Sequence, residues 1–319
     1  MVVDMKIKVL DASTLGDDMD LSVFAKHGEL TVYDKTSPDE VAKNASDADV
    51  IIINKVKVGA HNLSECENLK LICIMATGYD NIDTEYCKQR GIAVCNVVGY
   101  SSQSVAQITV AMVLSLVSHL SEYRDAVADG SYTRGGVANM LTPVYHEICG
   151  KTWGIVGYGN IGSQVGRVAQ ALGCRVIVNK RTPTADVECV DIDTLCRESD
   201  IITVHTPLTP DTKNLINEQR IKSMKPDTIF VNMARGLVAD EAALADAIEN
   251  GKLGGLGIDV YSAEPFGACH PYAKIAGYSN VCFTPHMSWG AYEARVRCRD
   301  EVMKNIESFL HGEKRNRVV

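Results

Sequence analysis

Three features are scarce in this 319-residue chain, and each scarcity removes a class of function. No apolar run approaches the roughly 20 residues that a bilayer-spanning helix needs. The longest, Val110 to Val117, is far shorter, which argues against a membrane. The opening stretch Met1–Leu10 carries charges inside its apolar run. It therefore makes a poor signal peptide and reads better as a first strand. Among eleven cysteines no C-x-x-C pair occurs, which excludes a standard zinc knuckle or a thioredoxin-like motif. The thiols read as buried or idle in a reducing cytoplasm. Positive charge is short as well: 32 Lys plus Arg against 40 Asp plus Glu give −8. Nucleic acid is a poor partner for such a surface, and an anionic substrate needs a locally placed cation.

What remains is the composition of an ordinary soluble protein, 46% hydrophobic and 23% charged, at a length that suggests two domains. Short Val/Ile-rich runs alternate with amphipathic stretches, the mark of parallel sheets covered on both faces. The first series of strands is expected at Ile7–Leu10, Leu30–Tyr33, Val50–Ile53, Leu71–Met75 and Ala93–Val97. Helical patterns lie at Pro38–Ala48 and Thr84–Arg90. A long apolar helix is expected from about Ser102 to Arg124. The second series is expected at Trp153–Val156, Arg175–Val178, Ile201–Val204, Thr228–Val231, Gly255–Val260 and Val281–Thr284, before a last helix over Gly290–His311.

The most informative local motif is Gly157-Tyr158-Gly159-Asn160-Ile161-Gly162. It follows a strand and opens a helix, the context in which G-x-G-x-x-G acquires physical meaning. Gly157 permits the tight turn, Gly159 lets the backbone approach a pyrophosphate, and Gly162 allows helix to pack on strand. The helix N-terminus supplies amide donors and the positive end of a dipole. At the end of the next strand a carboxylate would favour NAD and a cation NADP. The chain reads Asn179-Lys180-Arg181 there, so NADP(H) is favoured over NAD(H).

Ligands of open α/β sheets bind at the carboxyl edge, where His205 and His286 end strands. Other strand ends supply Arg235, Asp259 and, in a loop, Glu264. A carboxylate bonded to a histidine orients the ring for acid/base work, and an arginine can grip a carboxylate through two donors. His270 stands in a Pro-flanked loop. On position alone, either strand-end histidine could be the acid.

The segments Ala76–Asp83, Gly157–Gly162, His205–Thr212, Met224-Lys-Pro, Asn232–Leu244, Gly257–Val260 and Thr284–His286 occur in order along the chain. With them the sequence resembles the D-isomer-specific 2-hydroxyacid dehydrogenases over essentially its whole length. Val98–Gln107 and Trp289–Arg295 make it most similar to the glycerate dehydrogenase/hydroxypyruvate reductase branch. The resemblance implies two Rossmann-like α/β domains with parallel sheets and an active-site cleft between them. Residues 1–100 plus 290–319 would form the substrate-binding domain and 101–289 the dinucleotide-binding domain. It implies a catalytic trio of Arg235, Glu264 and His286, with Ala76, Thr77, Gly78 and Trp289 completing the substrate site. Tyr158, Asn160, Ile161, Lys180, Arg181, His205, Thr206, Pro207, Thr212, Met233, Ala234 and Asp259 would join the glycines around the cofactor. A cytoplasmic homodimer that reduces small 2-oxo acids such as hydroxypyruvate or glyoxylate, without metal, is the expected protein. The alternatives are a reductase of larger branched or aromatic 2-oxo acids and a nicotinamide-sensing, corepressor-like scaffold. Two departures from the family pattern stand out: Lys180 occupies a position where NAD users commonly carry Asp, and Gly136–Pro143 lacks the aromatic residues often found before the Thr-Pro.

Overall fold

The computed structural model describes Met5 to Val319; Met1 to Asp4, the start of the Met1–Leu10 reading, lie outside the described residues. The chain divides into two compact units, one built from residues up to Ser101 together with Gly290–Val319, the other from Ser102–Trp289.

The first unit is a five-stranded sheet formed by β1 (Met5–Val9), β2 (Gly28–Val32), β3 (Val50–Ile53), β4 (Leu71–Ile74) and β5 (Ala93–Cys95). All its pairings are parallel, in the order β2-β1-β3-β4-β5. That is the flavodoxin-like member of the doubly wound folds. Every residue of β3 and β4 is buried, which is why these strands read as unbroken Ile/Val/Leu runs rather than alternating ones.

The second unit carries seven parallel strands: β6 (Thr152–Val156), β7 (Arg175–Asn179), β8 (Glu188–Cys189), β9 (Ile201–Val204), β10 (Thr228–Asn232), β11 (Leu253–Ile258) and β12 (Val281–Phe283). From β8 inward the order is β8-β7-β6-β9-β10-β11-β12, the Rossmann arrangement with one added edge strand. β6 and β9 are neighbours in space but not in sequence, so the order reverses between them. Trp153 on β6 is fully buried and its indole N–H donates to Thr203 Oγ1 of β9 at 3.2 Å, satisfying the one polar atom of a large core side chain.

The single helix expected over Ser102–Arg124 is a correction. It is two helices, α1 (Ser102–Val117) and Leu120–Ala128, bent by 67° at His119, which takes a left-handed φ of 49°. The apolar pattern continues through the bend, so periodicity alone does not reveal it. α1 is apolar because it is core: Val105, Met112, Val113 and Leu116 pack with Trp153, Ile155 and Val231. Among the described residues no single helix is long and apolar enough to cross a membrane. The Pro38–Ala48 stretch is a 3₁₀ turn at Pro38–Glu40 followed by a short helix, Val41–Ala45.

Candidate active site

The turn after β6 has the shape its glycines require. Gly157 sits at φ 90°, and a Cβ there would lie 2.8 Å from the Thr206 amide nitrogen after β9. The two loops at the reversal point therefore touch through backbone. A Cβ on Gly162 would fall 2.1 Å from the Gly157 carbonyl oxygen, so the helix α2 (Asn160–Ala171) can start this close only on glycine. A Cβ on Gly159 would meet nothing within 4 Å, and no side chain caps the helix at that residue. An uncapped, outward-facing N-terminus of twelve residues beside open space fits a pyrophosphate. These residues fit a dinucleotide. Tyr158 lays its ring over Gly166, where a Cβ would be 2.8 Å away, and Lys180 Nζ stands 6.0 Å from the centre of that ring. Arg181 is exposed beside it.

His205 and Thr206 flank this turn. The His205 ring nitrogens are buried without a hydrogen-bond partner among the described residues, and burial pushes the ring down to about 3. It is neutral at ordinary pH. The Thr212 hydroxyl donates to the Pro207 carbonyl at 2.6 Å and accepts from the Thr209 amide at 2.7 Å, so it shapes the loop that carries Pro207.

The Glu264–His286 pair is assembled from the loops that follow β11 and β12. His286 Nδ1 lies 2.7 Å from Glu264 Oε2, and the other Glu264 oxygen accepts the Tyr261 amide at 2.9 Å. A carboxylate only accepts, so Nδ1 carries the proton and Nε2 is the atom left for chemistry. His286 takes φ 51°. Its segment is held by Asp259, fully buried, whose carboxylate accepts from Thr284 Oγ1 at 2.6 Å, Met287 N at 2.9 Å and Ser288 N at 3.1 Å. Asp259, expected beside the cofactor, thus anchors the histidine turn.

Arg235 follows β10, where buried Asn232 accepts from the Ala234 amide at 3.0 Å and donates to the Arg235 carbonyl at 2.9 Å. Met233 and Ala234 are buried at this strand end. Gly236 presses on the Glu264 loop: a Cβ would lie 2.2 Å from both Ser262 N and Tyr261 C. Trp289 is half-buried against the α1 cluster. Ala76–Gly78, at the end of β4 in the first unit, is tied down by Thr77 Oγ1 donating to the Val97 carbonyl at 2.7 Å and Asn96 Nδ2 donating to the Thr77 carbonyl at 2.8 Å. The Thr77 and Gly78 amides have no acceptor among the described residues. A surface hollow of about 280 Å³ lined by Asp193, Arg197, Asn217 and Arg220 includes none of these residues. No group of His, Cys, Asp and Glu among the described residues is arranged to hold a metal.

Residues 110–288 match the family described as D-isomer specific 2-hydroxyacid dehydrogenase, NAD binding domain. The chain belongs to this family. It is an oxidoreductase whose second unit carries the NAD-binding domain. Hydroxypyruvate reductase of Blautia hydrogenotrophica is 35% identical over 317 residues, 97% of this chain and 98% of that protein. Glycerate dehydrogenase of Methylorubrum extorquens is 34% identical over 98% of each. Among solved structures, an acyclic imino acid reductase (Bsp5) in complex with NADPH and D-Arg superposes with a TM-score of 0.85 at 28% identity, covering 99% of this chain and all of that one. As a member of this family, the chain carries out nicotinamide-dependent 2-hydroxyacid dehydrogenase chemistry.

Neither Asn232 nor the contact of Gly236 with the Glu264 loop is foreseeable from sequence spacing. Gly236 joins loops that start on different strands, β10 and β11, while Asn232 braces the loop after its own strand.

Proposed function

We propose that this dehydrogenase reduces small 2-oxo acids, hydroxypyruvate and glyoxylate foremost, to D-2-hydroxy acids, with His286 as the proton donor. The observation that carries the reading is the 2.7 Å Glu264–His286 pair at the carboxyl edge of the sheet that also bears the Gly157–Gly162 turn. A reduced nicotinamide, when bound, supplies the hydride. His286 Nε2 gives its proton to the carbonyl oxygen and takes it back in the reverse direction. Glu264 fixes the ring and its tautomer. Arg235 binds the substrate carboxylate through its fork of donors and polarises the adjacent carbonyl. The names of the two relatives support the substrate class.

Lys180 and Arg181 support NADP over NAD: both lie just past β7, where a 2′-phosphate needs a cation, and no carboxylate stands at that strand end. The expected result is faster oxidation of NADPH than of NADH with hydroxypyruvate and glyoxylate, and a preference inverted toward NADH in Lys180→Asp/Arg181→Ala. An unchanged cofactor ratio in that variant counts against the assignment. Turnover of bulky 2-oxo acids alone would overturn the substrate, and cofactor binding with no turnover of any 2-oxo acid would favour the sensing scaffold.

The acting form we propose is a cytoplasmic homodimer. Leu120, Val127, Val137, Leu141, Val144 and Tyr145 are all more than half exposed, and a second copy of the chain is the occupant that would cover them. Light scattering is expected to give twice the 34.7 kDa chain mass; a monomer at micromolar concentration contradicts this. The cysteines are all free, as a reducing compartment keeps them.

A further inference from the structure

A second carboxylate–histidine pair lies behind the site. Glu241, the first residue of the helix α3 (Glu241–Glu249), is 9% exposed, although a charged side chain is seldom so buried without a partner. Its Oε1 accepts the Ser262 amide at 2.9 Å, its Oε2 accepts the Ser262 hydroxyl, and His270 Nε2 lies 3.0 Å from Oε2. On the far side of the ring, His270 Nδ1 accepts the Tyr272 amide at 3.2 Å. That bond fixes the tautomer: the proton sits on Nε2 and points at Glu241. The ring is wedged among Tyr261, Phe266 and Tyr272.

Serine, histidine and glutamate in contact suggest a hydrolytic triad, but the bonding excludes one. Such a triad divides the two ring nitrogens between nucleophile and carboxylate. Here Ser262 Oγ, 3.3 Å away, and Glu241 share Nε2, while Nδ1 is taken by backbone. What the cluster grips is the peptide leading to Glu264. Ser262 is bound through both its amide and its hydroxyl. The preceding residue, Tyr261, donates its amide to Glu264, and Gly236 closes the other side of the Tyr261–Ser262 peptide.

We propose that Glu241 and His270, acting through Ser262, are positioning residues that set the place of Glu264 and thereby the orientation of His286. The inference rests on the reading of His286 as proton donor. The Glu264 carboxylate sits on a loop with its side chain 33% exposed, so its aim at His286 depends on the register of that loop. The clamp supplies that register from a buried, fully bonded group, which is how a supporting shell keeps a reacting group within a fraction of an ångström.

Glu241→Gln tests this in the full-length protein, because glutamine still accepts the Ser262 amide but sets a donor against the His270 N–H. Hydrogen–deuterium exchange without ligand is expected to speed up at least about tenfold at the Tyr261 and Ser262 amides, with the amides of β10 unchanged. The kcat is expected to fall about 10- to 100-fold, with KM for NADPH unaltered. In a Glu264→Gln background the same substitution should cost less than about twofold, because the clamp acts only through Glu264. Ser262→Ala should show part of the loss and Ser262→Thr, which keeps both donors, should restore it; this pair carries the test if Glu241→Gln fails to fold. Unchanged exchange at Tyr261 and Ser262, or losses that multiply fully in the Glu264→Gln background, would overturn the proposal. Turnover retained by His286→Asn would instead strike the proton-donor reading, and the exchange comparison would still stand by itself.

Discussion

Replacing His286 with alanine is expected to lower kcat by about 10²- to 10⁴-fold while leaving the dissociation constant for NADPH within about twofold of its original value. The expectation follows from the bonding. The ring is held at Nδ1 by Glu264, so its removal takes away the proposed proton donor without disturbing the Gly157–Gly162 turn. The backbone at residue 286 is left-handed, with φ 51°, a conformation asparagine tolerates better than alanine. His286→Asn therefore belongs beside His286→Ala: it keeps the turn and loses the proton donor. Stopped-flow reduction of hydroxypyruvate and fluorescence titration of NADPH measure the two quantities separately. Turnover within tenfold of the parent in both variants would remove His286 from the chemistry.

Arg235→Ala is expected to act on the other half of the substrate. Truncating one partner of a desolvated, hydrogen-bonded charge pair costs about 2–5 kcal/mol. At about 1.4 kcal/mol per factor of ten, kcat/KM for the 2-oxo acid should fall by roughly 30- to several thousand-fold. Both KM and kcat should suffer if, as proposed, the same guanidinium binds the carboxylate and polarises the carbonyl. The fold around it should survive. Asn232 grips the backbone of residues 234 and 235 and does not depend on the side chain. Arg235→Lys keeps the charge but not the planar fork, so it should recover only a small part of the loss. Steady-state kinetics with the 2-oxo acid varied at saturating NADPH distinguishes these effects, and an unaltered KM in Arg235→Ala would rule out carboxylate binding by this residue.

Much of the architecture was legible because buried parallel strands have a strong signature. Val50–Ile53 and Ile201–Val204 stand where their residue types place them, and the other expected strands differ by a few residues at their ends. The two-residue edge strand at Glu188–Cys189 went unread, since a pair of residues with one exposed and the other half-buried carries no periodicity. The bend at His119 was hidden for the opposite reason: the apolar spacing on either side of it is good.

The candidate site divides along the same line. A local motif such as Gly157–Gly162 can be read from a few adjacent residues, because its function lies in its own backbone. The Glu264–His286 contact spans 22 positions and nothing in its spacing announces it. Only resemblance to a family pointed to the pair. Asp259 is expected beside the cofactor, and the spacing does not announce that its carboxylate also holds the turn of His286. The clamp of Glu241 and His270 was out of reach, for it depends on which loops the sheet order brings side by side.

The first unit is completed by both extremities of the chain. Its helix Tyr292–Leu310 and the bridge from Cys95 to Arg317 come from residues made after the second unit, and Val318 donates its amide to the Val94 carbonyl at 2.8 Å. Asn305 likewise donates to the Asn96 carbonyl at 2.9 Å. During synthesis, then, Ser102–Trp289 has its full set of strands while the earlier-made sheet still lacks its closing segment. Domains generally fold as units as they emerge from the ribosome, the N-terminal one first; here the order is inverted for completion. The unit that begins first must wait for residues 290–319, and a chain interrupted after Trp289 would carry a finished dinucleotide-binding fold beside a sheet with an unsealed flank.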